Sequence, residues 1–140
     1  MREQAEQGFA GARQKLVFLH GQGAYPVDVV GVSRHQAELH EIAGTSTRAG
    51  QRHDRIAALI LDEGKPYKKD TVTVAIEGRI VGALPAHLST RYGEWLRKWQ
   101  LSGASVQCDA VIVDRRDSGS GAGQFGVWLD IELPFKMTLT

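Results

Sequence analysis

The chain has 140 residues, 42% hydrophobic and 24% charged, with a formal net charge of +1. That is the size of one ordinary domain, able to bury roughly two thirds of the surface its unfolded form exposes, and the balance excludes a fibrous repeat and wholesale disorder. The lone Cys108 can form no internal disulfide, no secretory signal opens the sequence, and the longest apolar run, IAALIL at residues 56–61, is strand-sized rather than membrane-spanning. The expected compartment is the cytoplasm.

In chain order, the polar opening MREQAEQGFAGARQ suggests no function. KLVFL (15–19) and VDVVGVS (27–33) read as short strands, separated by the turn HGQGAYP, and RHQAELHEIAG (34–44) reads as a short helix closed by a glycine. TSTRAGQRHD is a polar loop. RIAALILDE, DTVTVAIE and RIVGAL are strands, the first two joined through the GKPY turn and the last two through Glu77-Gly78 as a hairpin. Val72, Val74 and Ile76 share one face of their strand, and Thr71 and Thr73 the other.

Residues 86–100 change period. Leu88, Tyr92, Trp95, Leu96 and Trp99 recur at steps of three and four, the apolar stripe of a helix packed on a core, with Arg91, Arg97 and Lys98 facing water. VQCDAVIVD and FGVWLDIEL return to strand character around the small-residue linker RRDSGSGAGQ; Val127, Leu129, Ile131 and Leu133 alternate with Trp128, Asp130 and Glu132. Six or seven short strands with two or three helices, not alternating as βαβ, predict a mainly antiparallel barrel in which closure removes exposed edges.

Three tempting motifs fail on context. LVFLHGQG resembles an oxyanion-hole loop, but no G-x-S-x-G nucleophile turn accompanies it. GAGQFG (121–126) fits a dinucleotide fingerprint but precedes a strand, with no helix to hold a pyrophosphate. The five histidines form no H-x-x-x-H pair. No catalytic residue, metal site or cofactor is expected.

Charge is distributed unevenly. Residues 48–98 hold ten Lys and Arg against six acids, a local net charge of +4. Within that stretch, VDVVGVSRH at 27–35 being its forerunner, LILDEGKPYKKDTVTVAIEGRIVGALP at 59–85 and the helix behind it resemble the HIRAN domain. That family carries a strand ending in V-V-G, then N-P-Y-D-x-N-A-V-x-V, a short turn, and V-G-x-L-P leading into a helix. The match runs over residues 27–114. The resemblance implies a small OB-like barrel over residues 25–140, behind an N-terminal extension (1–24) with one short strand. It also implies a noncatalytic module that binds single-stranded DNA or DNA 3′ ends, in the company of a helicase or nuclease, with no membrane association.

The residues matching the family's pocket are Arg34, His35, Lys65, Tyr67 and Lys68. Tyr67 keeps the tyrosine, Lys65 replaces an asparagine, Asp70 replaces the second asparagine, and Arg34 and His35 stand where the family has aromatics. Lys68 replaces the acid suited to a terminal hydroxyl, which weighs against end recognition and leaves cations to neutralise phosphate and rings to stack on bases. The alternative is a protein-interaction or accessory domain that keeps the barrel without its DNA pocket.

Overall fold

The computed structural model describes residues 15–44, 48–62, 69–101, 103–115 and 124–139. The order is β1 (Leu16–Leu19), β2 (Val27–Asp28), a 3-10 turn (Val32–His35), α1 (Gln36–Ala43), β3 (Arg52–Asp62), β4 (Thr71–Ile76), β5 (Arg79–Ala83), α2 (Ala86–Lys98), β6 (Ser105–Asp114), β7 (Phe125–Asp130) and β8 (Met137–Leu139). The chain is mainly β with two α-helices, as its pattern predicts.

Hydrogen-bonded neighbours follow the order β2-β7-β6-β3-β4-β5, every pair antiparallel. Just past β2, Val30 and Ala83 at the end of β5 exchange both backbone bonds, at 2.9 and 3.0 Å. The six strands thereby curl into a half-barrel whose outer strands β2 and β5 meet at this one bridge, consistent with the small OB-like barrel expected. β1 lies parallel to the first half of β6, Leu16–Leu19 against Ser105–Cys108, while β7 takes the second half; β8 adds to β1.

The period-2 pattern explains the core. Val72, Val74 and Ile76 are fully buried, as are Val127 and Leu129, and with Leu19, Val17, Ile112 and Phe125 they fill the barrel. Burying each such side chain stabilises the fold by about 1.5–3 kcal/mol before entropy is counted. Several boundaries move from their sequence expectation. β2 is short because Gly31, at φ 78°, turns the chain into the 3-10 segment, so Arg34 and His35 precede α1 instead of starting it. β3 begins inside the expected polar loop, since Arg52, His53 and Asp54 pair with Val113, Ile112 and Val111. β7 stops at Asp130, which leaves Leu133 42% exposed rather than inward.

The helices sit at opposite ends of the barrel. α1 covers the end where β3 and β7 begin: His40 packs edge-on to Phe125, and Ile42 O accepts from Arg55 Nη2 at 3.2 Å. α2 covers the end where β3 and β7 finish, with Leu88, Tyr92 and Leu96 turned inward. The expected stripe is shorter than its spacing predicts. Trp95 is half-buried against Tyr92 and Phe135, but Trp99, at the helix C-cap, is 54% exposed.

Closure depends on a residue without a side chain. A Cβ on Gly82 would stand 2.5 Å from Val30 O and 2.6 Å from Val29 Cγ1, inside any real contact. Gly82→Ala is therefore expected to lower stability by about 2–3 kcal/mol, read as a reduced urea midpoint. An unchanged midpoint would mean that the circuit is not tight here.

Candidate nucleic-acid interface

Of the five residues expected to hold nucleic acid, Arg34 and His35 are described; Lys65, Tyr67 and Lys68 lie outside the described residues. Gln36 fixes the 3-10 segment. Its Oε1 accepts from the Gln124 and Phe125 amides, both at 2.8 Å, and its Nε2 donates to Val32 O and Phe125 O at 3.0 Å. Arg34 is exposed beside it, and His35 lies 3.7 Å from Glu38 Oε1 across one helical step. Both stand at the α1 end.

The described flanks of residues 63–68, Asp62 and Lys69, stand at the other end. Asp70 accepts from Arg97 Nη2 at 2.8 Å, and it fits against α2 because residue 93 is glycine: a Cβ there would come 2.2 Å from Asp70 Oδ2. This contact ties the start of β4 to the last turns of α2. Lys69 precedes Asp70 and is exposed; on α2, Arg91, Glu94 and Lys98 are exposed too, and the exposed Trp99 indole follows Lys98 directly. Arg97 and Lys98 also complement the negative end of the helix dipole, which alone would favour them there. The two ends are separated by the six residues of β4, about 17–20 Å at strand rise.

Sequence reasoning missed Trp99 as a surface ring because its spacing matched the core stripe, and the end of α2 at Lys98, one residue before it, shows only in the fold. It also read Asp130 as outward-facing. Asp130 follows that parity but is 5% exposed, because residues 21–25 fold over it and the Gly23 and Tyr25 amides donate to its two oxygens at 2.8 and 3.1 Å.

A cleft of about 520 Å³ opens between this loop, the start of α2 and residues 130–133. Asp28, Asp130 and Glu132 line it, and among the described residues no Lys or Arg does, so these walls repel rather than attract phosphate. Nearby, the Tyr25 hydroxyl is raised above its usual range, first by desolvation and then by Asp109, Asp54 and Asp130, with Arg52 acting in opposition from 5.4 Å over the ring. Among the described residues, no group of three His, Cys, Asp or Glu could hold a metal ion.

Inside the barrel, Tyr92 is fully buried, its hydroxyl has no hydrogen-bond partner among the described residues, and burial raises it strongly. Burial, reinforced by Asp109 and Asp130, also pushes the Cys108 thiol up to about 12 from an ordinary 9.0. The native state therefore keeps a proton that the unfolded chain releases. That stabilisation is complete below the unfolded value and is lost as pH rises toward the folded one. Relative to Cys108→Ala, the native protein is expected to lose about 2–3 kcal/mol more stability between about pH 8 and about pH 11, measured by urea unfolding. Parallel pH profiles would contradict a buried protonated thiol.

No family model, curated protein or solved structure matches this chain.

Proposed function

We propose that this protein is a noncatalytic module that binds single-stranded nucleic acid at the α2 end of its barrel. The observation that carries the reading is that exposed Lys69, next to the Asp70–Arg97 pair, adjoins the end of α2 that bears exposed Lys98 and Trp99, and that the segment with Lys65, Tyr67 and Lys68 lies in sequence just before it. Cations that neutralise phosphates and rings that stack on any base are what binding with little sequence preference requires. Arg34 and His35, at the α1 end, are a second contact for a strand that runs along the barrel wall. That distance lies within the reach of the roughly 4–16 nucleotides an OB-type domain engages.

Lys68 in place of an acid argues for binding along a strand rather than gripping a free 3′ hydroxyl. A helicase or nuclease acting on the same strand is the fitting partner class, and the cytoplasm the fitting compartment. The second reading, a protein-interaction domain, is favoured by one specific feature: Ile56, Ile60 and Ile80 are each about half exposed on one outer face of β3 and β5.

Titration of a labelled single strand of about 12 nucleotides at two salt concentrations separates the two readings. The nucleic-acid reading expects salt-sensitive binding that Trp99→Ala and Tyr67→Ala each weaken by about 1–3 kcal/mol. Lys65→Ala and Lys98→Ala should each flatten the salt slope by about 0.7. Arg34→Ala should matter only for the longer strands, and blocking the 3′ end should change little. No binding at low salt overturns this reading in favour of the interaction domain.

A further inference from the structure

The cleft at the start of α2 has a chemistry unlike the rest of the barrel. Its walls are largely apolar: Pro26, Val27, Pro85, Leu88, Ile131 and the exposed Leu133. Its polar groups are Gln22, Asp28, His87, Asp130 and Glu132. At about 520 Å³ it is the size of a small-molecule site.

The carboxylates are not equivalent. Asp130 is committed to the Gly23 and Tyr25 amides. Glu132 accepts from Gln22 Nε2 at 2.6 Å and has Lys136 at 3.5 Å from outside the cleft, so it is held in place and partly neutralised. Asp28 forms no hydrogen bond or ion pair among the described residues. The His87 ring, also without a side-chain partner among the described residues, adds a polar group to the cleft. An open carboxylate beside an apolar wall, with no Lys or Arg lining the space among the described residues, is complementary to a positive charge carried on an apolar body. Low-dielectric walls strengthen that pairing over its value in water.

We propose that this cleft binds a small organic cation, a protonated amine on a compact apolar body, with the body against Val27, Leu88, Ile131 and Leu133 and the ammonium group matched to Asp28, Glu132 and the His87 ring. The site is independent of the nucleic-acid interface: it lies at the opposite end of α2 and has the opposite sign of charge.

Three probes of similar size and different charge test it: 2-phenylethylamine, 2-phenylethanol and phenylacetate, titrated at neutral pH and followed by amide chemical shifts of the lining residues. The amine is expected to saturate with a dissociation constant of about 1 mM, reasonable for so small a ligand. The alcohol should bind at least about fivefold more weakly, as loss of one charge-assisted bond implies, and the carboxylate should not bind. Asp28→Asn, a change at an exposed position, should bring the amine down to the alcohol's level. Ala24→Trp, which fills the mouth without altering charge, should abolish both. The proposal fails if no probe saturates, if amine and alcohol bind alike, if the carboxylate binds best, or if the amine's affinity survives Asp28→Asn combined with Glu132→Gln. A response unaffected by Ala24→Trp would place the amine on the surface and also overturn it.

Discussion

The architecture depends on the pair of backbone hydrogen bonds between Val30 and Ala83. Without them β2 and β5 would each present a row of unpaired amides and carbonyls, and a sheet of such short strands would have two edges to protect. The approach is close enough that only glycine fits at position 82, with Val29 and Val32 side chains lying over it. The V-V-G and V-G-A-L-P stretches are therefore two halves of one joint: Val29 and Val30 meet Gly82 and Ala83, Gly31 turns the chain away, and Pro85 starts α2. A pair of motifs more than fifty residues apart is explained by a single contact.

Closure also decides where chemistry can be placed. With β2 and β5 joined at the Val30–Ala83 bridge, the outer wall and the two ends are the larger surfaces open to a ligand. The α1 end is stitched shut by Gln36 to Gln124 and Phe125, by His40 against Phe125, and by Arg55 bridging Ile42 O and Glu77 at 3.1 Å. The α2 end is less sealed. There β3 and β6 part beyond Leu59 and Val106, and α2 spans the opening, so its two termini border different surfaces.

Much of this was legible in the residues. The alternation of Val72, Val74 and Ile76, the Glu77-Gly78 turn and the Leu88, Tyr92, Leu96 stripe each follow from local periodicity, which a chain carries in itself. What was not legible depended on distant partners. Arg52 to Asp54 look like loop until β6 is there to pair with them. Asp130 looks outward until the loop at residues 21–25 folds back to supply its amide donors. Trp99 has the right spacing for the core but lies just past the point where α2 leaves it. For the candidate site, the cations could be counted, but only the tertiary fold shows that Arg34 and His35 belong to one end while Lys69 and the flanking Asp70 belong to the other.

That separation bears on how one small barrel could serve two ligands. α2 has 13 residues and so spans about 20 Å. Its beginning borders Asp28, Asp130 and Glu132, and its end carries Arg97, Lys98 and Trp99. Acids near the positive end of the helix dipole and cations near its negative end are each favourable to the helix, so this polarity costs the fold nothing. At physiological ionic strength charges are screened over about 8 Å, less than half the helix length. A phosphate chain drawn to the far end would feel little of the acidic cleft, and a cation in the cleft little of the basic rim. The two surfaces would act as separate electrostatic addresses on one rigid rod, with the carboxylates keeping a nucleic-acid strand from straying toward the start of α2.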